Sequence, residues 1–290
     1  MNLFKRDDRH ILRAIQKHIW ETMLYEGVVV EQLGTVDVYV HMTNPATHLN
    51  CVTPHKGVAW IRREDLLDAF TGLQRLGRTP RLVFLDALFP EAFTKQIKMM
   101  DLTLEDERMV MVYRPLYGPS MPDELVFGRL PDEHPSEITT SIATTREELA
   151  TWLRVFRAGY YNTEALTVPA NDVQRLVVAV EKGEAVFILA HYQETPLGAT
   201  RLALRPPTAE LEAVATAPLW HDMGLEAAMI AAATRAATER KCDVVFSIAL
   251  PRDFMRLYRI GFVDLTHVMI FWQAEEYAQP KPETTEQEAT

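Results

Sequence analysis

The sequence predicts an α/β protein of two tandem units, each a mixed, mainly antiparallel sheet flanked by helices. Three observations carry that reading. The stretch from Ala209 to Phe262 runs strand, turn, Ala-rich helix, strand and short helix, which is an α/β order of elements. A proline-rich stretch, Arg114 to Ser136, divides the 290 residues near the middle. The two sides of that divide echo one another: Leu82-Val83-Phe84-Leu85-Asp86-Ala87-Leu88 resembles Val244-Val245-Phe246-Ser247-Ile248-Ala249-Leu250. After each run come a proline, an aromatic, a short amphipathic helix and a strand. The strands end Val110-Met111-Val112-Tyr113 and Val268-Met269-Ile270-Phe271. Both halves of the echo in one order favour a repeated fold.

The first unit is expected over residues 1–113. It opens with a helix, Asp8 to Tyr25, because Ile11, Ile15, Ile19 and Met23 recur at spacing four. Thr35 to Met42 alternates in part and reads as a strand. Arg63 to Leu76 is a second amphipathic helix. Arg81 to Leu88 is a continuous apolar run, as in a strand covered on both faces. A linker is expected over 114–137, where prolines break regular structure.

The second unit is expected over 138–274. Thr144-Thr145-Arg146-Glu147-Glu148 offers a capping box. The helix it starts runs to about Ala158, with Leu149, Trp152, Leu153 and Phe156 on one side. Asn171 to Lys182 is another helix. Ala185 to Tyr192 and Leu197 to Leu204 are strands joined by a turn at Gln193 to Pro196, and Glu210 to Thr216 makes a third. A helix from Gly224 to Lys241, a strand from Asp243 to Leu250 and a short helix ending at Ile260 follow. Residues 275–290 are polar and Pro-containing, so a disordered tail is expected there.

Composition narrows the function. Hydrophobic residues at 48% and charged residues at 24% are those of a globular protein with a sizeable core. The net charge of -10 argues against nucleic acid, which needs clustered Lys and Arg, and is compatible with a cationic substrate. No apolar run reaches the roughly 18–20 residues that span a bilayer, and Met1 to Arg13 lacks the apolar core of a signal peptide. Cys51 and Cys242 stand far apart and read as reduced and structural, which suits a cytoplasmic protein. His48, Cys51 and His55 have ligand-type spacing, yet a fourth ligand is lacking, so no metal is expected. Walker, Rossmann, Gly-x-Ser-x-Gly and His-Glu-x-x-His motifs are absent.

The order of elements over Ala209 to Phe262, closed by Leu257-Tyr258-Arg259-Ile260-Gly261-Phe262, resembles the acyl-coenzyme A-binding core of the GNAT N-acetyltransferase family. Members carry Gln/Arg-x-x-Gly-x-Gly/Ala ahead of a long helix, whose unpaired N–H groups and dipole receive the pyrophosphate. The matching residues here are His221, Asp222, Met223, Gly224, Leu225 and Glu226. Gly224 is retained. His221 stands for Gln or Arg, Asp222 for a common glycine and Glu226 for the last small residue. A carboxylate about 5 Å from a pyrophosphate charge costs on the order of 3 kcal/mol at an effective dielectric of about 20. Asp222 reads equally well as a helix N-cap.

The resemblance further implies roles. Tyr258 would protonate the departing thiolate, with a core-facing aromatic as the other reading. Glu210 or Glu212 would act as base, and by period two both share a face with Val214 and Thr216; exposed strand charges are the alternative. Backbone amides around Val214, Ala215 and Thr216 would hold the acyl carbonyl. The asparagine often found seven residues before the tyrosine is Pro251. The implied function is transfer of an acetyl group from acetyl-coenzyme A, as co-substrate, to a primary amine of a small molecule in a ternary complex. The competing expectation is a cofactor-free ligand- or partner-binding module of the same fold. The first unit has His55-Lys56-Gly57-Val58 after Val52-Thr53-Pro54 and Ile97 to Leu102 in place of the Tyr-containing motif, so it is expected to work without cofactor.

Overall fold

The computed structural model describes residues 6–114, 138–162, 167–220 and 224–273. The expected linker and tail lie outside the described residues. In chain order the elements are α1 (Arg6–Tyr25), β1 (Val29–Leu33), β2 (Val36–Val40), β3 (Cys51–Pro54), α2 (Arg63–Arg75), β4 (Arg81–Leu85), α3 (Glu91–Lys98) and β5 (Leu102–Tyr113). The second half supplies β6 (Ile138–Ala143), α4 (Arg146–Tyr161), α5 (Ala170–Glu181), β7 (Ala185–Tyr192), β8 (Thr195–Arg205) and β9 (Thr208–Thr216). It ends with α6 (Leu225–Glu239), β10 (Val244–Ala249), α7 (Phe254–Ile260) and β11 (Phe262–Gln273).

The elements form two compact units, and each unit draws on both halves of the sequence. One comprises Met1–Trp20 and Arg108–His267, the other Glu21–Glu107 and the stretch from Val268. In the first, β10 pairs antiparallel with β5 (Phe246↔Val112) and parallel with β9 (Val244↔Thr208). Antiparallel pairs β9–β8, β8–β7 and β7–β6 complete it. In the second, β1–β2 and β2–β3 are antiparallel, β3 runs parallel to β4 (Val52↔Leu82), and the end of β11 lies antiparallel to β4 (Val268↔Leu85). Relative to the sequence halves 1–113 and 138–274, the units exchange the ends of their last strands, β5 from Arg108 and β11 from Val268, and the larger unit also takes α1 as far as Trp20. Each unit thus has one parallel pair in a mainly antiparallel sheet, the arrangement behind the sequence echo.

The larger unit buries both faces of its sheet. Leu225, Met229, Ile230, Ala233 and Ala236 of α6 pack on one face with Val186, Leu202 and Phe262. Small residues on α6 let its backbone approach the strands. On the other face α4 and α5 bring Leu149, Trp152 and Val173 against Phe187 and Leu189. Trp152 donates its indole N–H to the Thr200 carbonyl at 2.9 Å, so the ring is buried without an orphaned donor. The smaller unit centres on Phe70, Leu82, Phe84, Phe93 and Phe271.

The expected capping box is formed by Thr145 and Glu148. The Glu148 amide donates to Thr145 Oγ1 at 3.2 Å, and the Thr145 amide donates to Glu148 Oε2 at 2.9 Å. Thr145→Ala is expected to cost about 1 kcal/mol of stability, read from the midpoint of urea unfolding. The Gln193–Pro196 turn is tighter than expected: Gln193 takes φ 54 and β8 already begins at Thr195. The strand expected over Arg81 to Leu88 ends at Leu85 and passes into a 3-10 turn over Asp86–Leu88. Beyond expectation, Val29–Leu33 forms a hairpin with β2, its polar and half-apolar residues concealing a largely exposed edge strand. Among the described residues, no helix is long and apolar enough to cross a membrane.

Candidate active site

The site is built on the place where two parallel strands part. β9 and β10 pair over Thr208↔Val244, Ala209↔Val245 and Glu210↔Phe246, and no further. Beyond Glu210, β9 keeps its β8 partner as far as Thr216↔Gly198. One edge of β9 therefore faces an opening instead of a strand. A cavity of about 510 Å³ fills it, walled by every residue from Glu210 to Thr216, by Ser247 and Ile248 of β10, and by Gly159 and Tyr160 of α4. Ser247 Oγ donates to the Leu211 carbonyl at 2.8 Å, fastening the strands where the ladder ends.

A β-bulge sets which side chains point where. Arg201 pairs with Ala213 and the next residue, Leu202, pairs with Leu211, so Glu212 is the extra residue on β9. The simple period-two face expected for Glu210, Glu212, Val214 and Thr216 is interrupted there. Glu212 turns to β8 and accepts a bond from Arg201 Nη1 at 2.9 Å. Glu210 lies before the bulge and points into the cavity. Its side chain is 15% exposed. Burial, reinforced by the Glu212 charge and opposed by Arg201, raises its pKa from the ordinary 4.5 to about 8. The exposed-charge alternative does not describe Glu210.

Glu210 has a neighbour from the other end of the chain. His18 of α1 is fully buried, and its Nε2 stands 3.6 Å from Glu210 Oε2. The buried residues of α1 are Asp8, Leu12, Ile15, His18 and Met23; Ile15 and Met23 belong to the expected stripe, while its Ile11 and Ile19 are half-buried. A histidine three residues after the buried Ile15 is the signal in the sequence that could have found it.

The α6 end of the cavity differs from a plain anion cradle. Gly224 caps the helix at φ 89, a left-handed conformation that favours glycine, with no side-chain capping bond. Glu226, in the first turn, is 6% exposed, lines the cavity and accepts a bond from Thr216 Oγ1 at 2.9 Å. Leu225 is in the core, not in the cavity. His221, Asp222 and Met223 lie outside the described residues, so the N-cap reading of Asp222 does too. The Glu226 carboxylate at the first turn of α6 opposes a pyrophosphate there.

Tyr258 is not brought to this cavity. Its hydroxyl donates to the Asp264 carboxylate, and burial, reinforced by this bond, raises its pKa. Leu257, one residue earlier, lines the cavity instead. One residue is about 100° of helix rotation, which accounts for the difference between the expected and observed positions. Tyr258→Phe is therefore expected to lower the melting temperature slightly and leave turnover unchanged, as a paired thermal melt and rate measurement would establish. Trp220 packs on Tyr192, ring centroids 4.8 Å apart. Cys51 and Cys242 are both free and buried, and His55 hydrogen-bonds Asp37 at 2.8 Å. Among the described residues, no group of three or more side chains could hold a metal ion.

Residues 146–262 match the family model described as Acetyltransferase (GNAT) family. The chain is similar in structure to the GCN5-related N-acetyltransferase from Kribbella flavida, with a TM-score of 0.65 and 13% identity over 91% of this chain and 95% of that one. It is also similar to the GCN5-related N-acetyltransferase from Sphaerobacter thermophilus, with a TM-score of 0.55 and 12% identity over 82% and 76% of the two chains. A tandem GNAT protein from the clavulanic acid biosynthesis pathway aligns with a TM-score of 0.53 and 12% identity, covering 81% of this chain and 77% of its own. At such identities these likenesses establish the tandem fold alone. No curated protein matches the sequence.

Proposed function

From residues 146–262 as a domain of the GNAT acetyltransferase family, we propose that the protein transfers an acetyl group to a primary amine of a small molecule by direct attack in a ternary complex. The observation that carries this reading is the parting of β9 from β10 beyond Glu210, with a buried carboxyl at the mouth of the parting. Acetyl-coenzyme A, as co-substrate, supplies the acetyl thioester. The unpaired edge of β9 from Val214 to Thr216 holds the acyl carbonyl by backbone N–H donation, a stabilisation that needs no particular side chain. Glu210 takes the proton from the attacking ammonium. Free thiols have pKa values of about 8.5, so a thiolate can depart near neutral pH without a phenolic acid. That agrees with Tyr258 being engaged by Asp264.

The acceptor is a cation by this reading. Glu210, Glu212, Glu226 and Asp253 all line the cavity, against Arg108 and Arg256. An ammonium is drawn to such a wall, and loses its proton to the carboxyl whose basicity burial has raised.

Glu210 works as a base only when ionised. The pH profile of kcat/KM is therefore expected to rise with a limb near pH 8, well above the ordinary carboxylate range. A rate already level at pH 6 would remove Glu210 from the role. The direct test of the whole reading is calorimetric titration with acetyl-coenzyme A and with coenzyme A, followed by assay of amine-dependent thiol release. Micromolar binding and release support it. No binding at millimolar cofactor favours the ligand- or partner-binding module.

A further inference from the structure

We propose that His18 is a positioning residue for Glu210, its neutral imidazole offering an Nε2 lone pair to the Glu210 carboxyl once that carboxyl has taken a proton in the cavity. The inference rests on Glu210 being the base. Its starting point is a chain of hydrogen bonds that fixes the imidazole tautomer. Thr208 has one hydroxyl proton, and its Oγ1 donates that proton to the Arg205 carbonyl at 2.8 Å. Oγ1 can therefore meet His18 Nδ1, 2.8 Å away, only as an acceptor. Nδ1 carries the hydrogen, and in the neutral ring Nε2 is the acceptor. Nε2 is the atom that faces Glu210 Oε2 at 3.6 Å.

The ring is held to this task. His18 and Phe246 make a T-shaped contact with ring centroids 5.0 Å apart. Burial and the Arg205 guanidinium lower the His18 pKa to about 4, against a raising hydrogen bond to the Thr208 backbone, so the ring is neutral at physiological pH. The cationic alternative, an ion pair with Glu210, needs a charge that these surroundings oppose.

The step balances simply. An N–H bond of the substrate ammonium breaks and an O–H bond forms on Glu210. A small rotation of the carboxyl, from 3.6 Å to hydrogen-bond range, lets that O–H donate to Nε2. A bond made only to the protonated carboxyl favours that form and so strengthens the base. The other charged groups around Glu210 are Glu212 on its own strand, Arg201 and Arg205 on β8, Glu226 on α6, and Arg108, Asp253 and Arg256 around the cavity. Unlike these groups, His18 supplies an acceptor without a charge.

The test is nitrogen NMR of the full chain labelled in its histidine rings. Across the titration of Glu210, His18 is expected to keep a protonated Nδ1 and an unprotonated Nε2, with the Nε2 resonance moving as Glu210 titrates. Glu210→Gln should abolish that movement. A proton on Nε2, or a resonance indifferent to Glu210, overturns the proposal. As a second readout, His18→Phe keeps a ring beside Phe246 but removes the acceptor. The rising limb of the pH profile should then move down by about one pH unit; an unmoved limb overturns the proposal. The NMR arm needs no acetyl transfer, so failure of the base reading and failure of the His18 reading are distinguishable.

Discussion

Glu210→Gln is expected to lower kcat/KM for amine acetylation by about 10²–10⁴-fold while leaving affinity for coenzyme A unchanged. The range is that of removing a positioned general base. Gln keeps the shape of the side chain and its place on β9, so the cavity wall survives. What is lost is the ability to accept the ammonium proton. Glu212→Gln is the natural control: its carboxylate is engaged by Arg201 across the bulge. That variant should lose stability before it loses turnover. Stopped-flow or steady-state rates at saturating donor, with calorimetry for affinity, read both quantities. If Glu210→Gln turns over normally, the buried carboxyl belongs to packing, and the cofactor-free alternative gains.

The second large effect is expected at Gly159. Replacing a helical glycine by alanine ordinarily stabilises, by up to about 1 kcal/mol. Here the sign should reverse. A Cβ on Gly159 would lie 2.7 Å from the Thr216 carbonyl oxygen and 2.9 Å from its carbonyl carbon and nitrogen. These are backbone atoms, which cannot swing aside as a side-chain end can. The helix α4 must move off the end of β9, and overpacking of this kind costs about 1–3 kcal/mol. The displaced strand end is also a wall of the cavity, so donor binding should fall with stability. Chemical unfolding and a titration with acetyl-coenzyme A measure the two losses. A Gly159→Ala variant more stable than the parent would mean that α4 and β9 are less closely apposed.

Local signals in the sequence were read well where local physics decides. Thr145 and Glu148 cap α4 because side chain and amide sit three residues apart, whatever the rest of the chain does. β7 was expected and found at Ala185 to Tyr192, since its apolar run needs only a covered sheet. The Leu82 and Val244 runs, each followed by proline, pointed to a repeated unit, and each forms a strand with a parallel neighbour. Glu210 entered as a candidate base only through the resemblance, its strand position alone being equally that of an exposed charge.

What was not legible depends on tertiary geometry. The bulge at Glu212 separates two carboxylates that period two placed together, and no residue type announces it. Tyr258 and Leu257 differ by one helical step, so a small error of phase exchanges a cavity wall for a surface bond to Asp264. His18 reaches Glu210 across 192 positions of sequence, and Thr208, which fixes its tautomer, is 190 away. The spacing of His18 from Ile15 marks it as a residue of the buried face, but nothing in α1 names Glu210 as its neighbour.

The exchanged strands have a consequence for how the chain comes to exist. The partner of Leu85 is Val268, and the partner of Ile248 is Val110. During synthesis, β4 emerges from the ribosome long before the strand that will cover its open edge. The nascent first half must wait, with Leu82 and Phe84 in want of their neighbour, until β11 has been made. The same threading ties together the fates of the two sequence halves: neither can be lost, or passed alone to another protein, without leaving a sheet incomplete.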